Sequence, residues 1–328
     1  MSLNRRKVLD CASPLALSPE TGVAKKAPDD WRTPRRCRAI SCAGWAVTLV
    51  LLMTALIPFA DSTINDSQKY VWAANARWVN LRPASSNGLS VGEFVCSGYG
   101  YGANFGWLNF GDGTPENGIQ YANNSATDFG INLQPGGALR GQAWGANVGW
   151  IQFESLGNPR VDYTSGRLRG YAWGANIGWI NLDDLTNYAK TDIIQSGADT
   201  DSDGIPDAWE RQRAGNLTTL TNGDADGDGV SDRNEYLADT NPTNATSLLK
   251  FTSIRIVNPP QATQVEVSWV SSEARNYKLL SRGTVESNAW SVVPPGTLLG
   301  SNNSQTLTFS PDATNQFYRV GAFLPLQP

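Results

Sequence analysis

Between about residues 65 and 190 one aromatic motif recurs, and an internal repeat restricts a fold more tightly than any overall composition. The two best copies are RGQAWGANVGWIQF from Arg140 and RGYAWGANIGWINL from Arg169. SGYGYGANFGWLNF from Ser97 is weaker, and YVWAANARWVNL from Tyr70 is degenerate. The paired aromatics fall at 72/78, 101/107, 144/150 and 173/179, spaced by 29, 43 and 29 residues, so the third copy follows an insertion of 14. That insertion covers much of GDGTPENGIQYANNSATDF, whose turn-forming residues mark a surface loop.

Each copy reads as a β-hairpin. In the last one, Gly170–Trp173 runs into a Gly-Ala-Asn turn and Gly178–Leu182 returns. Glycine and asparagine tolerate the positive φ that tight hairpins need, so Asn75, Asn104, Asn147 and Asn176 are read as turn formers. Period-2 aromatics with frequent glycine and almost no helical periodicity make the region all-β. The repeated tryptophans have two readings. The preferred expectation is a shared core, in which each ring buries about 150–250 Å². The other is an exposed platform on which sugar rings stack.

Two 12-residue segments carry the chemistry. Asp199, Asp201, Asp203, Asp207 and Glu210 occupy loop positions 1, 3, 5, 9 and 12 of the first, with Gly204 at position 6 and Ile205 at position 7. Asp224, Asp226, Asp228, Asp232 and Glu235 repeat the spacing 25 residues later, with Gly229 and Val230 in the same places. Calcium takes roughly 6–8 hard oxygen ligands, and this pattern supplies them from aspartates, the position-7 carbonyl and a glutamate that closes the site. So many carboxylates in two short loops would repel one another without a counter-ion. The cofactor expectation is therefore two calcium ions. Asp207–Arg213 and Asp232–Ala238 read as exit helices, with Trp209, Tyr236 and Leu237 packing between them. No helix is expected to lead into either loop, so each is half an EF-hand.

From about 248 to 328, alternating runs at 251–256, 265–269, 277–280, 290–293, 306–309 and 317–320 are separated by turns at Asn258–Pro260, Pro294–Gly296 and Ser301–Ser304. Short strands at such spacing are a sandwich signature. The fold-class expectation is thus mainly β: a Trp-rich β-hairpin repeat domain over 65–190, a small loop-helix calcium-binding linker over 191–247, and a C-terminal β-sandwich over 248–328.

The first 60 residues differ from the rest. Residues 1–38 hold nine Lys/Arg against four acids, and an uncharged apolar run follows from Ala39 to Ala60. This reads as a signal peptide cleaved near Ala60, or as a signal anchor if it is retained, since about 20 apolar residues can span a bilayer. Without that leader the body carries a net charge of −9, which argues against nucleic acid or an anionic membrane as partner. Any membrane contact would come through the N-terminal segment alone. Of the four cysteines, Cys11, Cys37 and Cys42 lie in the leader, leaving Cys96 with no intramolecular disulfide partner. The 328 residues contain no histidine, which excludes Ser-His-Asp and Cys-His nucleophilic schemes and histidine-ligated zinc.

DTDSDGIPDAWE followed by GDADGDGVSDRNEYLADTNPTN resembles the bacterial thrombospondin type 3 repeat, a calcium-binding spacer of exported proteins. The resemblance implies calcium ligation by the ten acids named above. Dockerins also pair two loop-helix units, but their recognition positions 10 and 11 are usually hydroxylated, and here they are Ala208-Trp209 and Arg233-Asn234. The C-terminal region, with its Phe317-Tyr-Arg-Val320 ending, resembles fibronectin type III-like modules, which implies a structural or adhesive role.

The leading functional expectation is a non-enzymatic, exported calcium-binding protein of the bacterial cell surface or periplasm, in which calcium stiffens the joint between two β modules. Its candidate partners are calcium and a cell-surface glycan or another surface protein. The alternative is a carbohydrate-binding protein using the repeat aromatics. A hydrolase ranks last, because Asp112, Glu116, Asp128, Glu154, Asp162, Asp183 and Asp184 form no recognisable acid/base constellation.

Overall fold

The computed structural model describes residues 61–257, 263–284, 289–311 and 316–327. The expected leader, its three cysteines and the turn at 258–260 lie outside the described residues. Each copy of the aromatic motif forms two antiparallel strands: β1 (Ile64–Ala73) with β2 (Arg77–Asn80), β3 (Cys96–Gly102) with β4 (Gly106–Asp112), β5 (Leu139–Gly145) with β6 (Gly149–Phe153), and β7 (Tyr171–Gly174) with β8 (Gly178–Asn181). Successive hairpins also pair, and β8 returns to β1 through Trp72↔Asn181 and Ala73↔Ile180. Eight strands therefore close into a barrel, which removes its sheet edges. Short strands at Ser90–Val91 and Ile131–Leu133 pair with β3 and β5, and Ala189–Thr191 pairs with β1.

The turns explain the motif. In each copy a backbone bond spans the turn, as from Ile177 N–H to Gly174 O at 3.2 Å. The residue that restarts the chain then takes positive φ, at Gly106, Gly149 and Gly178 in three copies and at Arg77 in the first. The residue before it points inward, so Ala76, Phe105, Val148 and Ile177 together plug one end of the barrel. A methyl group at Gly102 or Gly145 would overlap the Phe105 ring or Val148, which is why glycine stands where the plug is large. In the first copy the plug shrinks to Ala76, and alanine occupies position 73. The recurring asparagines do more than turn the chain. Asn104, Asn147 and Asn176 donate through Nδ2 to the carbonyls of Ala76, Phe105 and Val148, at 2.9–3.1 Å, and so tie each turn to the one before it.

The tryptophans do not fill the core. Val71, Val79, Leu108, Ala143, Ile151, Ala172 and Ile180 point inward and are buried. With a side-chain period of 2, the aromatic two residues from each turn must then point out. Trp72/Trp78, Tyr101/Trp107, Trp144/Trp150 and Trp173/Trp179 are direct cross-strand pairs, with ring centroids 4.7–5.1 Å apart. All but Trp150 are 37–51% exposed. The reason is geometric: an eight-stranded barrel has room for one layer of modest side chains, and eight large rings would not fit. The aliphatic interior leaves a cavity of only about 20 Å³ lined by apolar residues. Cys96 is buried in this core, where desolvation pushes its thiol pKa up to about 12.

After the barrel come two short helices, α1 (Asp207–Ala214) and α2 (Asp232–Ala238). The C-terminal strands are β9 (Phe251–Val257), β10 (Gln264–Ser271), β11 (Asn276–Arg282), β12 (Ser291–Leu299), β13 (Asn303–Phe309) and β14 (Phe317–Phe323). They form two three-stranded antiparallel sheets in the orders β9-β10-β13 and β12-β11-β14. Val267, Trp269, Tyr277, Leu279 and Phe309 bring both sheets into one apolar cluster.

Candidate metal centres

The two acidic loops fold alike because the same residues hydrogen-bond the same backbone groups. Asp199 accepts from Gly204 N–H at 3.0 Å and Asp203 from Ile205 N–H at 2.8 Å. In the second loop, Asp224 accepts from Gly229 N–H and Asp228 from Val230 N–H, both at 2.8 Å. The sharp bend falls at position 6, where Gly204 and Gly229 adopt φ of 89° and 93°, the left-handed region open to glycine. Carboxylate oxygens of Asp199, Asp201 and Asp203 converge within 4.8 Å of one another, as do those of Asp224, Asp226 and Asp228.

The glutamates at position 12 lie beside each aspartate cluster and feel its charge. Glu210 on α1 and Glu235 on α2 are both 0% exposed. Both oxygens of Glu210, one of Glu235, and single oxygens of Asp199, Asp203, Asp226 and Asp228 are buried without a hydrogen-bond partner. Desolvation, reinforced by Asp201 and Asp203, pushes the Glu210 carboxyl up to about 7. Glu235 is also pushed up to about 7, by desolvation and then by Asp226 and Asp228, with Thr240 opposing through a hydrogen bond. A buried carboxylate with unused lone pairs beside other carboxylates is costly unless a cation meets it.

Asp207 and Asp232, at position 9, brace the loops, as Asp224 also does through Gly227, Asp228 and Gly229 N–H. Asp207 accepts from Thr200 N–H at 2.7 Å and from the Thr200 hydroxyl at 2.6 Å. Asp232 accepts from Ala225 N–H at 2.9 Å and Thr221 N–H at 3.0 Å. Each oxygen thus accepts one bond that braces the loop and keeps a further lone pair. The donor types fit a calcium ion: aspartates at positions 1, 3 and 5, the carbonyl of Ile205 or Val230, and a glutamate with up to two oxygens offer about six hard oxygens per loop, the lower end of what calcium takes. With no nitrogen or sulfur donor in either loop, the set suits a hard cation rather than zinc or copper.

The loops sit on a small core of their own. The Trp209 and Tyr236 rings meet edge-on with centroids 5.5 Å apart, over buried Ile205 and Leu220. Leu237, expected in that core, is exposed. Its place is taken by Leu220 and by residues from both neighbours, Phe94 before β3 and Leu324 after β14.

Sequence reading also missed a polar junction. Arg275, 1% exposed, pairs with Glu93 at 2.9 Å and donates to the carbonyls of Tyr236 and Leu237 at 2.7 and 3.2 Å. The Tyr236 hydroxyl donates to the other Glu93 oxygen at 2.7 Å. Nearby, burial opposes ionisation of Asp239, but Arg275, Ser272 and Arg213 together hold its carboxyl below the usual range. Nothing in the local sequence around Glu93 or Arg275 marks them as partners 182 residues apart. Comparison with known proteins finds no matching family model, no similar curated protein and no similar solved structure.

Proposed function

We propose that this chain is an exported, non-enzymatic calcium-binding protein of the cell surface or periplasm, with a structural or adhesive role in which calcium stiffens the joint between two β regions. The observation that carries this reading is the pair Glu210 and Glu235, each fully buried with at least one unpartnered oxygen, beside two triplets of converging aspartates. The loop-plus-exit-helix units and the two clustered C-terminal sheets support the resemblance to thrombospondin type 3 and fibronectin type III-like modules. Acids outside the loops serve the scaffold: Asp162 and Asp183 pair with Arg169, Asp183 also with Arg167, and Asp128 accepts from the backbone of Glu116 and Ala122. Thermal melts of the full chain test the reading. Calcium should raise the melting temperature over that in chelator, and Asp203→Ala with Asp228→Ala should remove the gain. A wild-type chain indifferent to calcium would refute it.

A second reading, carbohydrate binding by the barrel, is favoured by one observation: the aromatic pairs lie on the outer surface instead of in the core.

A further inference from the structure

The outer face of the barrel keeps the eight paired aromatic rings, together with Tyr70 and Tyr171, in or near solvent, each of the exposed ones leaving roughly 100 Å² uncovered. Apolar exposure on that scale marks a binding surface. The layer beneath the rings is polar, however. Two residues beyond the second aromatic of each hairpin stand Asn80, Asn109, Gln152 and Asn181. Pairing between hairpins sets each amide directly opposite an aromatic of the next: Asn80↔Tyr101, Asn109↔Trp144, Gln152↔Trp173 and Asn181↔Trp72. The barrel therefore repeats one triad four times: a tryptophan, an amide two residues on, and the aromatic across from that amide.

Three copies share a further feature. Oδ1 of Asn80, Asn109 and Asn181 accepts from the backbone N–H of Arg82, Gly111 and Asp183, at 2.9, 2.9 and 3.1 Å. This bond orients the carboxamide and leaves its Nδ2 donor with no described protein partner. The remaining copy is closed. Gln152 donates to Gln142 at 3.3 Å, and Gln142 donates to the Asn123 carbonyl at 2.9 Å. Phe129, from the insertion before that hairpin, packs edge-on against Trp150 with centroids 5.1 Å apart.

We propose that Trp78–Asn80–Tyr101, Trp107–Asn109–Trp144 and Trp179–Asn181–Trp72 are three equivalent sites for uncharged sugar residues of a polysaccharide, and that Trp150–Gln152–Trp173 is not one. This rests on the carbohydrate reading and specifies it. The weakly positive C–H face of a sugar ring complements the negative face of an aromatic, and a hydroxyl oxygen accepts from the held Nδ2. No triad side chain is charged at neutral pH, so an anionic glycan would find no counter-charge there. A proline-rich peptide also favours aromatics, but it needs a continuous groove. These triads lie on successive hairpin junctions around a closed barrel. Separate sites on one rigid body suit a repeating polymer, whose binding gains from multivalency.

The test is calorimetric titration of the calcium-loaded full chain with cellohexaose, xylohexaose, laminarihexaose, mannohexaose and chitohexaose, with a polyproline peptide as a separate arm. At least one hexasaccharide should bind at three sites per chain. Asn80→Asp, Asn109→Asp and Asn181→Asp keep the backbone bond and remove the donor. Each should weaken its own site tenfold or more and reduce the count to two, with an unchanged melting temperature. Gln152→Glu should leave three. Four equal sites, or asparagine variants that bind as the parent does, would overturn the assignment while sparing the carbohydrate reading. No binding of any hexasaccharide, with or without binding of the peptide, would overturn both.

Discussion

Replacing Arg275 with methionine should be among the most damaging single changes in the molecule. The guanidinium joins three regions at one buried point: Glu93 from the barrel side, the Tyr236 carbonyl one residue after the second loop's closing glutamate, and its own place before β11. Methionine keeps most of the volume, so the loss is electrostatic. Glu93 would be left as a mostly buried carboxylate whose one remaining described partner is the Tyr236 hydroxyl. Removing one member of a buried pair costs about 3–5 kcal/mol. Glu93→Gln removes the charge from the other side, and the double variant leaves neither member of the pair charged, with Asp239 still paired to Arg213. The two substitutions should therefore fall short of additivity by about 2 kcal/mol or more. Urea unfolding in saturating calcium, with stability taken from the midpoint and the m-value, reads the whole cycle. A cost below about 1 kcal/mol for Arg275→Met, or strict additivity, would refute the view that this junction binds the three regions into one folding unit.

Acidity should act on the calcium loops in a definite direction. Glu210 and Glu235 have folded-state pKa values of about 7, above the ordinary 4.5. Their protonation favours the metal-free fold at low pH, and that contribution is lost as pH rises through about 7. In chelator the melting temperature should fall between pH 5 and pH 8, while in calcium it should not. A separate prediction concerns the first turn, where Arg77 adopts φ 68° at the position held by glycine in the other three copies. Arg77→Gly should raise stability by about 1 kcal/mol, measured by thermal or urea unfolding.

Local pattern made much of this molecule legible. The motif copies at 72/78, 101/107, 144/150 and 173/179 announce hairpins, and the spacing of the two 12-residue loops announces the convergence of Asp199, Asp201 and Asp203 and of Asp224, Asp226 and Asp228. All six C-terminal runs fall in strands, most of which extend past the apolar stretch. What the sequence hides is what depends on closure. Nothing within a single hairpin says that β8 returns to β1, and only that closure decides which face is inside. Once it is known, alternation puts Val71, Leu108 and Ile151 in and the tryptophans out, reversing the expectation that size and hydrophobicity suggest. The bracing role of the position-9 aspartates was hidden for a different reason: loop spacing gives their reach but not the N–H donors of Thr200, Thr221 and Ala225 that they accept from. Glu93 and Arg275 were invisible because their pairing is tertiary, set by where the C-terminal sheets meet the calcium helices.

Counting calcium bound to the full chain tests the account most directly. Equilibrium dialysis with metal quantitation should find two ions per chain, with dissociation constants on the order of 10⁻⁴–10⁻³ M. Glu210→Gln and Glu235→Gln should each reduce the count to one, and the double variant should bind none. A wild-type chain that binds no calcium at millimolar concentration, or a double variant that still binds two ions, would contradict it.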